Sequence, residues 1–255
     1  MMSFPIEFIR PKLLNDEQVS SWFSLRNQES VHSERPIAGF NLGLNTAENE
    51  NLILKNREIL LDKIGLDAHQ ITYAVQEHKT HIEEVKHGGT YPNTDAFVTT
   101  KTDLALAIQV ADCAAVLLAD PVNKVIGAAH AGWRGAAGDI VPKTIAKMKE
   151  LGAETQQLKA YVSPCISLQN FEVGEEVASK FPDEFVDRSK YEKPHVDLKE
   201  FLRYQMLEAG MMESKIELDT ECTINNEDFY SYRRQNNKSG RMMGIIKLNN
   251  EQQNS

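Results

Sequence analysis

The stretch Leu104–Gly135, LALAIQVADCAAVLLADPVNKVIGAAHAGWRG, decides how the chain folds. Two apolar runs flank Asp120-Pro121-Val122-Asn123, where Pro and Asn favour a tight reversal, so the runs are expected to pair as a β-hairpin. Folding about the centre of that turn sets Asp120 opposite Asn123, Leu118 opposite Val125 and Cys113 opposite His130. Directly opposed residues have Cβ atoms about 4.5–5.5 Å apart, which lets a thiolate and an imidazole share one metal ion at about 2.0–2.3 Å from each. A turn longer by one residue would send the two side chains to opposite faces.

A third ligand is expected from His78, just past the strand-like run Ile71–Val75 and so at a strand end beside the hairpin mouth. His78, Cys113 and His130 would leave the fourth tetrahedral position of one ion open for water or substrate, the pattern of a catalytic rather than a structural zinc. Thiolate with imidazole suits zinc, and copper can substitute because it binds the same donors more tightly. Asp112 is expected to hold these ligands from behind. A laccase mechanism is disfavoured by counting: multicopper oxidases need about ten histidines in His-x-His pairs. This chain has seven, at positions 32, 69, 78, 81, 87, 130 and 195, and no such pair. Without a metal, Cys113 and His130 would instead be the nucleophile and base of a thiol hydrolase or amidase. A third reading, binding without turnover, would use Arg233, Arg234 and Arg241 as an anion-binding rim.

Outward from the hairpin, the apolar spacing predicts a helix after Thr46, capped by that residue and stopped by Gly65. Further helices are expected over Asp139–Leu151 and Asp197–Ala209, with Gly152 and Gly210 beyond their ends. Short β-rich runs lie at 71–75, 96–99, 104–110, 114–119, 124–129, 159–163, 215–220 and 243–248. The mixture is α+β, mainly antiparallel, with helices covering the sheets. No linker or repeat divides residues 1–255, so one domain is expected, with 249–255 as a flexible tail.

The first twenty residues lack an apolar core and cleavage site of the export type, and no apolar run is long enough to span a bilayer. Three cysteines form no closed disulfide framework, so a cytoplasmic setting is expected. With 28 basic against 37 acidic residues and a formal net charge of -9, the chain has no basic stripe for nucleic acid. A small substrate is the better expectation, and the oligomeric state is left open.

Several blocks occur in one order along the chain: Asp95-Ala96-Phe97-Val98-Thr99, Ala111-Asp112-Cys113, His130-Ala131-Gly132-Trp133-Arg134-Gly135, Phe171-Glu172-Val173-Gly174, Cys222-Thr223, Tyr230-Ser231-Tyr232-Arg233-Arg234 and Ser239-Gly240-Arg241-Met242. Together they resemble the zinc-dependent purine nucleoside phosphorylase family, formerly labelled multicopper polyphenol oxidoreductase or laccase domain. The resemblance runs from about Asn41 to Leu248. It implies a four-layer α/β/β/α sandwich and one zinc on His78, Cys113 and His130. It also implies phosphorolysis of adenosine, inosine, guanosine and methylthioadenosine, with adenosine deamination at the same site. Asn56-Arg57 matches the family's NR pair, which places Arg57 as the catalytic, phosphate-binding arginine. The chain departs from the pattern in the segment Asn41-Leu42-Gly43-Leu44-Asn45-Thr46-Ala47, which lacks a Gly-Asp pair, at Lys79 and at Ser163.

Other conspicuous residues have plainer expectations. Cys165 and Cys222 are read as buried free thiols, His81 and His87 as solvated loop residues, and Trp133 as a packing residue. Gly132 and Gly135 are read as turn glycines with positive φ. Glu172 and Asp112 are the candidates for moving a proton, and Arg233 and Arg234 serve either the sheet edge or the substrate.

Overall fold

In the computed structural model, which describes residues 6–27 and 37–250, the chain alternates between two sheets stacked face to face. The strands are β1 (Phe8–Ile9), β2 (Val19–Ser24), β3 (Ile71–Ala74), β4 (Ile82–Glu84), β5 (Gly89–Tyr91), β6 (Ala96–Thr99), β7 (Ala105–Val110), β8 (Ala114–Asp120), β9 (Val125–Ala131), β10 (Lys159–Val162), β11 (Val186–Asp187), β12 (His195–Val196), β13 (Ile216–Leu218) and β14 (Met242–Leu248). The helices are α1 (Glu50–Ile64), α2 (Trp133–Ala137), α3 (Ile140–Glu150), α4 (Glu175–Ala178), α5 (Leu198–Glu208) and α6 (Tyr232–Gln235). One sheet has the order β1-β2-β14-β7-β3-β5 and the other β13-β10-β8-β9-β6-β4, while β11 and β12 form a small separate ribbon.

The central strands are apolar on both faces because both faces are covered. In β8, Ala115, Leu117 and Ala119 meet Leu106, Ile108 and Ile246 between the sheets. The alternate residues Ala114, Val116 and Leu118 face the opposite way, onto Ile140, Ile145 and Met148 of α3 and Leu198, Leu202 and Met206 of α5. Ala105 and Ala107 of β7 pack with Leu60, Leu61 and Ile64 of α1 on the far side of the first sheet. The resulting order, α1, sheet, sheet, then α3 with α5, is the four-layer sandwich that the resemblance implies.

The sheets are mixed. Antiparallel ladders predominate, but β3–β5, β3–β7, β4–β6 and β10–β13 run parallel. Crossing from one sheet to the other at β3, β4, β5 and β6 removes the hairpin constraint on their neighbours. The polar 81–87 stretch, read as loop, contributes β4, although His81 and His87 themselves are exposed.

The hairpin forms with a different register. All of Pro121–Lys124 lies in the turn, Asp120 pairs with Val125, and His130 pairs with Ala115 rather than Cys113. The buried Asp120 carboxylate is the reason: it accepts from the Asn123 backbone N and Nδ2 at 2.9 and 2.8 Å, and from Glu154 N at 2.8 Å, tying the reversal into a four-residue loop. The pairing thus moves by two positions rather than one, so Cys113 and His130 stay on the same side. Leu118 accordingly faces Gly127, not Val125.

The three long helices form where the spacing predicts them, with one cap reassigned. Asn49, whose side chain accepts from Asn51 N, caps α1, whereas Thr46 Oγ1 donates to Gly43 O at 2.8 Å inside the preceding loop. Gly65 takes the left-handed conformation that ends α1. Of the tail expected over 249–255, Asn249 is held by Gln18 O, Asp16 O and Glu17 O, and residues 251–255 lie outside the described residues. His32 lies outside them too. No helix among the described residues is long and apolar enough to cross a membrane.

Candidate metal centre and active-site cavity

His78 follows β3, Cys113 precedes β8, and His130 sits in β9, so adjoining strand ends of the two sheets deliver the three side chains to one place. Their ligand atoms all lie within 4.8 Å of one another, the one such cluster among the described residues. The His78 and His130 rings meet edge to face at 4.6 Å between centroids. Two imidazoles and one thiol at this separation fit a single soft divalent cation, the donor chemistry expected of the three residues.

Behind the cluster stands Asp95, fully buried at the start of β6. Its Oδ1 meets His130 Nδ1 at 2.8 Å and accepts from the His78 backbone N at 3.0 Å. Its Oδ2 accepts from the backbone N of Glu77 and Lys79 at 3.2 and 2.8 Å. One carboxylate therefore orients the ring of one histidine and the main chain of the other, and with Nδ1 occupied, Nε2 of His130 is left for the cluster. These bonds hold His78 in a left-handed conformation, φ 58°. Asp112, expected in this supporting role, does something else: it accepts from Thr223 Oγ1 and from Arg233 N, both at 2.6 Å. Asp95 was legible in the sequence only as the first letter of its block, with no spacing signal linking it to His130.

Electrostatics follow from this packing. Burial alone would push the Cys113 thiol up, but His130 and His78 outweigh it and hold it down to about 6. Burial likewise opposes a charged His130, yet Cys113 and Asp95 raise it to about 9. A thiolate at neutral pH is what either a metal ligand or a nucleophile requires.

Gly132 is needed for close approach rather than for positive φ. Its φ is -78°, and a Cβ there would come within 2.7 Å of Cys113 Sγ and 3.5 Å of His78 Cδ2. Gly135, inside α2, is likewise free of positive φ.

The three ligands line a cavity of about 590 Å³, of a size that holds a small organic ligand. Trp133, Phe171 and Tyr232 supply aromatic wall, and Arg134, Arg233 and Arg241 supply positive charge. Trp133 both packs into the core and faces the cavity. Arg134 lies 4.2 Å over its ring. Arg233 donates to Glu172 O from both terminal nitrogens, while Arg234 spends its guanidinium on the carbonyls of Thr223, Ile224 and Phe229. Glu172 is exposed and paired with Lys193 at 2.8 Å, so of the two proton-transfer candidates only Asp112 is on the wall.

Arg57 is not on that wall. It is buried in α1, donates from Nε to Leu42 O at 2.9 Å, and lies 4.1 Å over the Tyr73 ring. With Asn56 Nδ2 donating to Asn41 O, it braces the loop from which Asn45 enters the cavity. The same loop is tied to Arg241, whose backbone N donates to Asn41 Oδ1 at 2.9 Å.

A family model described as multi-copper polyphenol oxidoreductase laccase matches residues 21–249. The chain belongs to that family. Among relatives of this laccase-family protein, a purine nucleoside phosphorylase of Corynebacterium glutamicum is 39% identical over 227 residues, 86% of this chain and 91% of its own length. A purine nucleoside phosphorylase of Bacteroides thetaiotaomicron is 31% identical, covering 93% of this chain and 96% of its own. Among solved structures, a DUF152-family protein of Neisseria meningitidis superposes with a TM-score of 0.84 at 30% identity, over 95% of this chain and 99% of that one. The hypothetical protein YfiH of Bacillus licheniformis gives 0.83 at 28% identity, over 90% and 92%. In this family member Cys165 and Cys222 are buried free thiols, as expected.

Proposed function

We propose that the protein is a zinc-dependent purine nucleoside phosphorylase, cleaving adenosine, inosine, guanosine and methylthioadenosine with phosphate and deaminating adenosine at the same site. The single observation that carries this reading is the His78–Cys113–His130 cluster on the wall of a nucleoside-sized, aromatic-lined cavity. The names of the Corynebacterium and Bacteroides relatives support it. We read the chain as one catalytic domain acting in the cytoplasm.

His78, Cys113 and His130 would hold one zinc, with copper as a possible replacement, and the bound ion would supply Lewis acidity to the reacting purine. The protein's own groups do the rest. Asp95 fixes the ligand geometry, and the Trp133, Phe171 and Tyr232 rings offer aromatic surface to the flat faces of the base. Phosphate falls to guanidiniums, which bind it with paired hydrogen bonds. We assign Arg241, half-buried on the wall with Nε and Nη2 uncommitted; Arg57, expected as the phosphate-binding arginine, lies off the wall and would act only by bracing the 41–45 loop that is tied to Arg241.

A second reading has one observation in its favour: Cys113, held down to about 6, adjoins a histidine oriented by Asp95, the arrangement of a thiol hydrolase or amidase. Chelation separates the two. The phosphorylase should lose inosine cleavage when zinc is stripped and regain it on zinc addition. A thiol enzyme should survive chelation and be killed by iodoacetamide, and that result would overturn the proposal.

A further inference from the structure

The phosphorylase reading leaves two thiols unused, Cys165 and Cys222, and the fold sets them against each other. They are partners in a parallel β-bridge that continues the β10–β13 pairing beyond the strand ends. Thr223 N donates to Cys165 O at 3.2 Å, which holds the register. Neighbouring strands lie about 4.7–4.9 Å apart, and directly opposed side chains leave the ladder on one face. That spacing falls inside the range of about 4.4–6.8 Å between Cα atoms that a disulfide spans.

The two sulfurs have opposite surroundings. Cys165 is fully buried, and burial pushes its thiol up to about 12. Cys222 keeps 8% of its surface, and its sulfur accepts from Ser167 N and from Nδ2 of the half-buried Asn170, both at 3.4 Å. Burial opposes a thiolate there, but these donors, with the Ile224 and Asn225 backbone amides, outweigh it and hold the thiol below its ordinary value. A thiol held low near the surface beside a buried, protonated one is the pairing of an attacking and a resolving cysteine.

We infer that Cys222 and Cys165 form a peroxide-sensitive pair that closes as a reversible disulfide behind the active-site cavity. The inference is independent of what the cavity binds. The Cys222 sulfur attacks one peroxide oxygen, the O–O bond breaks, and the departing hydroxide takes up the thiol's proton as water. Cys165 then attacks the Cys222 sulfenic acid: the S–S bond forms, the S–O bond breaks, and the hydroxyl leaves with the Cys165 proton as a second water. Two thiols lose two electrons in all, and one peroxide becomes two waters. The residue after each cysteine carries the consequence. Ile166 N donates to Asp112 O at 3.0 Å and Thr223 Oγ1 to Asp112 Oδ1 at 2.6 Å. The closed pair therefore ties together the two segments that hold this part of the cavity wall.

The test treats the purified protein, with zinc added, with hydrogen peroxide, then alkylates it with iodoacetamide in denaturant and maps the peptides by mass spectrometry. It is run on the native chain, Cys165→Ala and Cys222→Ala. The three cysteines fall on separate tryptic peptides, so each is read by itself. Native protein should lose alkylation at Cys165 and Cys222 together, yield a peptide joining them, and gain Tm, because a cross-link closing a long loop narrows the unfolded ensemble. Dithiothreitol should reverse all three changes. In Cys165→Ala the Cys222 sulfur should stop at a sulfenic acid that dimedone traps, and in Cys222→Ala the Cys165 thiol should stay free. Native protein in which both thiols remain free would overturn the inference, as would Cys222 sulfinic acid beside a free Cys165, or a disulfide joining Cys113 to either thiol. A linked pair without a gain in Tm would overturn the clasp.

Discussion

Asp95 is the residue on which the site's geometry turns. Asp95→Asn keeps the shape but offers the Glu77, His78 and Lys79 amides an amide oxygen and removes the charge facing His130 Nδ1. Losing such a supporting carboxylate typically costs 10–100-fold in metal affinity, so a zinc titration of Asp95→Asn against a competing chelator should show a loss of about that size. Unchanged affinity would mean the carboxylate only holds the loop. Proton linkage at the same residues has a definite sign. Below about 9 the metal-free site carries one proton more than the metal-bound one, on His130, and below about 6 a second, on Cys113. Both must leave for a cation to bind. Zinc affinity should therefore rise with pH between those values, and more steeply below the lower one, read by the same titration at stepped pH.

At the scale of elements, the β8–β9 hairpin was legible and its register was not. Two apolar runs around a Pro/Asn turn specify pairing. What they do not specify is that Asp120 recruits Asn123 and Glu154 and lengthens the turn. Period-two alternation rescued the reading, since a two-residue shift preserves the face. Asp120→Ala removes three hydrogen bonds to a buried carboxylate and should cost about 3 kcal/mol of unfolding free energy, measured by denaturant titration; a loss under about 1 kcal/mol would show that the turn holds its register without them. The β9–α2 junction gives a different outcome. Gly132→Ala needs no unusual backbone, so the fold should persist, but its Cβ would crowd Cys113 Sγ and His78. Near-native Tm without zinc, together with zinc affinity down about tenfold or more, is the expected pair of results. Full metal affinity would contradict the contact.

At the scale of the molecule, the runs of apolar residues already implied sheets covered on both faces, and the ordered motif blocks implied the layer order. The parallel ladders were illegible because none of them joins consecutive strands; the chain shuttles between sheets and skips at least one strand before each pairing. The same long-range assembly hid Asp95 behind His130 and kept Arg57 off the cavity wall, facts that no local pattern encodes. Because the ligands come from strand ends of both sheets, metal binding and sheet stacking are linked. A ligand that binds only the folded state stabilises it by mass action, so zinc at 100 times its Kd should add about 2.7 kcal/mol and raise Tm visibly. The most direct test of the central claim is metal analysis of the purified protein alongside inosine phosphorolysis, for the native chain and for Cys113→Ala. The account predicts about one zinc per native chain with hypoxanthine release, and loss of both in the variant. Zinc retained at full stoichiometry by Cys113→Ala would contradict it.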